Sequence, residues 1–312
     1  MSSNTDTETV IVGAGPAGLT AALVLARYRH RVVVVDSRQA PRNSVSAGVH
    51  GHIGLDGVSP AEIRSRAWQE LSRYSTVELL EADAESVRTN GGGRFRVGLG
   101  NGDTIEASTV LLATGVIDIY PTHVDGFSAC WGHTVIHCPF CLGEENADRR
   151  WGTVVDNAEL AALSAVAFRA WSKDTIAICR ESMPGLETAR TAAQSMGGDV
   201  VTGTIGRLHH RQGSLYAVEF DDGRVLERET LVWTPSQRQQ PVVARTIGEL
   251  SLTVDDAGFV GVNDTQCTNV PGLYAAGDLA SRWKQSFTAS AAAGATAADA
   301  IHASAILGAA GH

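Results

Sequence analysis

No stretch of this 312-residue sequence reaches the roughly 18 consecutive apolar residues that a membrane-spanning helix needs. Nor is there a cluster of Lys and Arg. The formal charge is −9, with 25 basic against 34 acidic side chains, so neither nucleic acid nor an anionic membrane is an expected partner. The opening residues MSSNTDTET lack the basic start and apolar centre of a signal peptide, which leads to the expectation of a cytoplasmic protein. Cysteine is sparse as well. Of the five, only Cys138 and Cys141 lie close together, while Cys130, Cys179 and Cys267 stand apart, so the even framework of a secreted disulfide scaffold is missing. A reducing compartment with one redox or metal-binding pair fits this pattern. What the sequence does have is 44% hydrophobic residues and a length sufficient for two domains of roughly 100 to 200 residues each.

The run TVIVGAGPAGLTAALVLARY predicts a strand, a tight turn and a helix. In the turn, Gly13, Gly15 and Gly18 have separate tasks: turning the chain, letting backbone approach a pyrophosphate, and letting the helix pack on the strand. The helix N-terminus, which begins at Pro16 and Ala17, offers backbone N–H groups to phosphates, Pro16 itself having none. The next strand, HRVVVVDS, ends in Asp36, spaced to accept hydrogen bonds from an adenosine ribose. Ser59-Pro60 opens a helix after a glycine-rich loop that holds His50 and His52. The stretch from Glu78 to Ser108 reads as short antiparallel strands joined at Gly91 to Gly93 and at Asn101-Gly102.

Two further segments are TVLLATGV, which ends a buried strand in Ala113-Thr114-Gly115, and VPGLYAAGDLA, which ends another in Gly277-Asp278. With the N-terminal fingerprint, these resemble the two-dinucleotide-binding flavoprotein disulfide reductases. The resemblance implies an α/β fold with two Rossmann-like dinucleotide-binding domains of the thioredoxin reductase type, the second inserted in the first. It implies FAD as cofactor, with Asp278 on the ribityl chain and the helix that begins near Lys284, Gln285 and Ser286 aimed at the flavin ring. It places the glycine-rich loop near the flavin. The FAD domain is then expected over 1–116 and 237–312, and the central domain over 117–236. A homodimer is also implied.

Cys138-Pro139-Phe140-Cys141 sets two sulfurs one helical turn apart, within disulfide reach. Cys130, His133, His137, Cys138 and Cys141 supply enough ligands for zinc, but a redox pair has a partner in the flavin, so no metal is expected. Low-molecular-weight thioredoxin reductases carry their Cys-x-x-Cys at this place in the central domain. That resemblance makes Cys141 the flavin-facing thiolate and Cys138 the interchange thiol. It also exposes a departure, because Leu142 stands where those enzymes have an acid–base aspartate. His137 is the candidate replacement, since an unperturbed imidazole titrates near working pH, although a purely structural histidine is equally compatible with the sequence. Glu144 and Glu145 are weaker candidates.

The following segment, WGTVVDNAELAALSAVAFRAW, keeps the strand and helix of a nucleotide site and loses its glycines. Asp156, Asn157, Ala158 and Glu159 fill the turn, with Leu160, Leu163, Val166 and Trp171 read as an apolar helical face. Side chains there block the approach of a pyrophosphate, and Asp156 or Asn157 is a good N-cap that would occupy the N–H groups. Asp156 and Glu159 add repulsion of about 1 kcal/mol per charge pair at ~4 Å in water. The central domain is therefore expected to be degenerate for NADPH. Arg180-Glu181-Ser182 in place of a basic cluster, and Thr234-Pro235 in place of a glycine, point the same way. A working dithiol pair without a nicotinamide site resembles the dithiol oxidases of disulfide-containing natural products of the gliotoxin, holomycin and romidepsin type. That resemblance implies oxidation of a small-molecule dithiol, with O2 as acceptor and H2O2 as product. A reductase fed by NADPH or ferredoxin, and a non-turnover redox sensor or dithiol-binding protein, remain open at this point.

Overall fold

Residues 4–37 and 39–310 are described by the computed structural model. The β-branched run near the start forms the strand Asn4–Val12, which pairs in parallel with Val32–Asp36 on one side and Thr104–Leu112 on the other. Val77–Glu81 adds a further parallel strand beyond Val32–Asp36, so this one is not the antiparallel strand that the sequence suggests. The strands Ala84–Thr89 and Phe95–Leu99 are antiparallel as expected, Phe95–Leu99 pairing with the first half of Thr104–Leu112. The last three residues of Thr104–Leu112 pair in parallel with Leu273–Ala275.

Alternation along these strands divides the core between the two faces of the sheet. Val10, Val12, Val33 and Val35 pack with Phe95, Val97, Val243 and Leu273. Ile11, Val32 and Val34 pack with Ala21, Leu25, Ala297 and Ile301 of the helices Pro16–Arg27 and Phe287–Ala310. Small residues let those two helices touch closely, for a Cβ on Gly294 would lie 2.1 Å from the carbonyl oxygen of Ala17. The helix Pro60–Leu71 begins where Ser59-Pro60 predicts, and the Ser59 side chain accepts a hydrogen bond from Glu62 N–H at 3.2 Å.

A second sheet is wholly parallel, in the order Asp199–Thr202, Thr175–Cys179, Trp151–Val154, Thr230–Trp233, Val135–Ile136. Burial on both faces explains why Thr175–Cys179 (TIAIC) is buried throughout. The helix Ala158–Ala167 covers it through Ala161 and Ala165, while Leu160 and Leu163 are about half exposed, so the leucine face read from the sequence is not the packed one. A three-stranded antiparallel sheet, Ile205–Arg211, Ser214–Phe220 and Val225–Leu226, completes this part.

The chain divides into two compact units: Met1–Ser44, Ser59–Ile117 and Gln237–His312 form one, and Val45–Val58 with Asp118–Ser236 form the other. The glycine-rich loop Val45–Val58 therefore groups with the central unit. The α/β class expected from the sequence, with Rossmann-like sheets, is what the structure has. Among the described residues, no helix is long and apolar enough to cross a membrane.

Candidate redox site and nucleotide turns

Cys138 and Cys141 are joined in a disulfide, their Cα atoms 5.3 Å apart. Pro139 opens a single helical turn, Pro139–Leu142, immediately after the strand Val135–Ile136, with Cys138 at its N-cap and the Cys138 carbonyl accepting from Cys141 N–H (3.1 Å) and Leu142 N–H (3.2 Å). Leu142 is buried with Ile136, Trp151 and Val232. Gly143 is needed behind it, because a Cβ there would lie 2.3 Å from the Pro139 carbonyl and 2.9 Å from the Trp171 indole. Phe140 stands edge-on to Trp171, ring centroids 5.6 Å apart.

The turn is held by a residue that sequence reasoning missed. Asn146 is 1% exposed, and its Nδ2 donates to the carbonyls of His133 (3.0 Å) and Leu142 (2.9 Å), one on each side of the pair. Its Oδ1 accepts from Arg149 (3.0 Å) and from Thr230 Oγ1 (3.2 Å). The only sequence signal was a polar residue shortly after a Cys-x-x-Cys, which is too common to single out. His137 stacks on the buried Trp131 ring at 5.8 Å. Glu145 meets His50, with Oε1 3.3 Å from Nε2. Of the five possible zinc ligands, Cys138 and Cys141 are bonded to each other and Cys130 is fully buried, its thiol pushed up to about 11 by burial. Among the described residues no set of three or more His, Cys, Asp or Glu converges as metal ligands.

In the terminal unit the glycine turn is built around its spaces. Gly13, at φ +108°, has no room for a side chain, since a Cβ would lie 2.5 Å from the Ala113 carbonyl oxygen. Gly18 packs so closely on the turn that a Cβ there would lie 1.9 Å from the Gly13 carbonyl oxygen, the close packing expected of the third glycine. Gly15 differs from both. Its backbone is extended (φ −81°) and a Cβ there would meet nothing within 4 Å. The helix Pro16–Arg27 has no side-chain cap at its start, so the turn at Gly15, Pro16 and Ala17 is an open cradle, its N–H groups coming from residues other than Pro16, which has none.

Asp36 reaches back into this turn, its Oδ1 accepting from Ala14 N–H at 2.8 Å and its Oδ2 pairing with Arg64. Ala113, Thr114 and Gly115 follow the end of Thr104–Leu112, with Gly115 at φ +64°. Gly277, at φ +89°, faces the Ala17 methyl. Asp278 accepts from Ser290 Oγ (3.0 Å) and from Arg42 (3.0 Å), and Arg42 also donates to Gln285 Oε1 (2.9 Å). Gln285 pairs its amide with Gln237, Ser286 caps the last helix by accepting from Ala289 N–H (3.2 Å), and exposed Lys284 donates its backbone N–H to Ser281 Oγ (3.3 Å). The expected cofactor residues of this unit therefore lie in one linked set of turns, to which Arg42, Arg64 and Ser290 are added.

The corresponding turn in the central unit is closed. Asn157 Oδ1 accepts from both Glu159 N–H (3.0 Å) and Leu160 N–H (3.1 Å) at the start of Ala158–Ala167. Of the two caps that the sequence offered, Asn157 is the one used. Asp156 is exposed beside it and, after burial, is the second cause that pushes the Cys179 thiol up to about 11.

Residues 7–294 match the model of the pyridine nucleotide-disulphide oxidoreductases. The chain belongs to this family. Within it, the thioredoxin reductase tcpT of Claviceps purpurea is 30% identical over 296 residues, covering 89% of this chain and 88% of that protein. The thioredoxin reductase sirT of Leptosphaeria maculans is 28% identical with the same coverage. Among solved structures, the crystal structure of HlmI is 31% identical at a TM-score of 0.83, covering 98% of this chain and 96% of that one. A putative thioredoxin reductase, TrxB from Bacillus anthracis, is 27% identical at a TM-score of 0.86, covering 96% and 98%. The family membership makes the chain an oxidoreductase with a thioredoxin-reductase-like fold, carrying the disulfide on its central unit.

Proposed function

We propose that this protein is a flavin-dependent dithiol oxidase that closes an intramolecular disulfide in a small-molecule dithiol. The observation that carries the reading is the Asn157 cap: the two N–H groups that a nucleotide phosphate would use at the central helix are already bonded to an amide oxygen. The Cys138–Cys141 disulfide supplies the two-electron acceptor that the reading needs.

In the proposed reaction a substrate thiolate attacks Cys138 Sγ, forming a mixed disulfide and releasing Cys141 as the thiolate. The second substrate thiol, once deprotonated, attacks the substrate sulfur of the mixed disulfide, expelling Cys138 and leaving a cyclic disulfide product. Substrate has then lost two electrons and two protons, and the cysteine pair has gained the electrons. The attacking thiol must be ionised, and His137, oriented by its stack on Trp131, is the proposed proton acceptor. FAD, when bound, would accept the electron pair from the reduced cysteines and pass it to O2, giving H2O2. The open cradle at Gly15 fits a pyrophosphate, with Gly13, Pro16, Ala17, Gly18, Asp36, Ala113, Thr114, Gly115, Gly277, Asp278, Lys284, Gln285 and Ser286 as the residues proposed to hold the cofactor. A homodimer belongs to the same proposal.

The name shared by the fungal relatives, thioredoxin reductase, favours a second reading with electrons flowing from a nicotinamide nucleotide or ferredoxin to a thioredoxin. Oxygen consumption separates the two. With a small dithiol as sole reductant, the oxidase consumes O2 and forms equimolar H2O2, and Cys138→Ser loses this turnover. Undiminished turnover in Cys138→Ser would remove the roles assigned to the pair.

A further inference from the structure

The loop Val45–Val58 belongs by its contacts to the central unit, although the chain on both sides of it belongs to the other. It closes on itself through the Val49–Val58 bridge, Gly57 N–H donating to the Val49 carbonyl (2.9 Å) and Gly51 N–H donating to Asp56 Oδ1 (2.9 Å). It meets the redox segment on both sides of the disulfide. Upstream of Cys138, Val45 packs over Gly132, where a Cβ would lie 2.6 Å from Val45 Cγ2. Downstream of Cys141, His50 Nε2 lies 3.3 Å from Glu145 Oε1, and its Nδ1 lies 3.6 Å from Asp56 Oδ1. The ring thus lies between two carboxylates, one on its own loop and one on the redox segment. Gly48 makes room for it, since a Cβ there would meet His50 Nε2 at 3.0 Å and Gly57 Cα at 3.1 Å.

The loop carries Ile53, 98% exposed, and the redox turn carries Phe140, 81% exposed. Single exposed apolar side chains are ordinary. These two, however, stand on segments that the His50 bridge ties together, and the polar groups of that bridge, Asp56 and Glu145, are acidic.

We propose that the Val45–Val58 loop and the redox turn form one recognition element for the substrate, with His50 as the positioning residue that holds the loop to Glu145, and that this element selects a dithiol with an uncharged, apolar body. The inference rests on the dithiol-oxidase reading. Apolar contact comes from Ile53 and Phe140, and the carboxylates of Asp56 and Glu145 on the same two segments disfavour an anionic substrate.

The holoenzyme is assayed with dihydrolipoamide, which is neutral, and dihydrolipoate, which carries a carboxylate. The wild type is expected to show a KM about fivefold lower for the neutral probe, the scale of one close like-charge contact in water. Glu145→Gln and His50→Asn are expected to raise the KM for dihydrolipoamide more than they lower kcat, as loss of binding rather than of chemistry requires. In the oxidised protein without substrate, both variants should speed deuterium uptake across residues 45–58 by about two- to fivefold, the worth of a partly exposed ion pair. Gly48→Ala, which crowds the ring without removing a charge, should do the same. Equal KM values for the two probes in the wild type, a fall in kcat with no change in KM in the variants, or unchanged uptake in all three variants would each overturn the proposal. The exchange measurement needs no turnover, so failure of the oxidase reading is seen separately from failure of the loop assignment.

Discussion

Two glycines of one turn make opposite demands. Gly13 is required by the protein itself, through its positive φ and the Ala113 carbonyl 2.5 Å from any Cβ, so Gly13→Ala should cost at least about 2 kcal/mol in the unfolding of the apoprotein. Gly15 has an extended backbone and open space, so Gly15→Ala should cost the apoprotein less than about 1 kcal/mol, the difference between Gly and Ala at an N-cap, while reducing the flavin retained on purification. A Gly15 variant that keeps its full flavin would argue against a pyrophosphate in that cradle. The cysteines divide by burial in a comparable way. Burial holds the Cys130 and Cys179 thiols near 11, above the ordinary value of 9.0, so their reactive thiolates form only as pH rises toward that range. Iodoacetamide at pH 8 should therefore label Cys138 first in the reduced native protein, as its proposed interchange role requires, and leave Cys130 and Cys179 unmodified; mass spectrometry of the digest reads this directly.

At the level of elements, the most informative helix is Ala158–Ala167. Asn157→Ala removes an oxygen that serves two N–H groups and should lower stability by about 1 kcal/mol in denaturant titration, with Asn157→Gly costing only a few tenths. Neither variant should gain rapid reduction by NADPH, because Asp156 and Glu159 remain at the turn. The turn was legible in the sequence because a glycine fingerprint is defined by what it excludes, and any side chain there is visible. The packing of the same helix was not legible. Leucine spacing pointed to Leu160 and Leu163, yet the close approach of the parallel sheet selects the small residues Ala161 and Ala165 and leaves the leucines half exposed. Val77–Glu81 was misread as antiparallel for a related reason: alternation records which faces are buried and not which neighbour a strand takes.

Across the whole molecule, motifs with a fixed spacing were readable, including the glycine turn, Asp36, Gly277-Asp278 and the Cys-x-x-Cys. Contacts between residues distant in sequence were not. Asn146, Arg42 and the tie between His50 and Glu145 depend on which loops meet, and no local pattern records that. The assignment of Val45–Val58 to the central unit has the same origin. The direction of electron flow is the central claim for the molecule, and anaerobic reduction of the proposed flavin in the purified holoprotein tests it most directly. The account predicts that the flavin absorbance bleaches with a small dithiol, returns in air with formation of peroxide, and stays unchanged with NADPH on the timescale of turnover. Rapid bleaching by NADPH would contradict it.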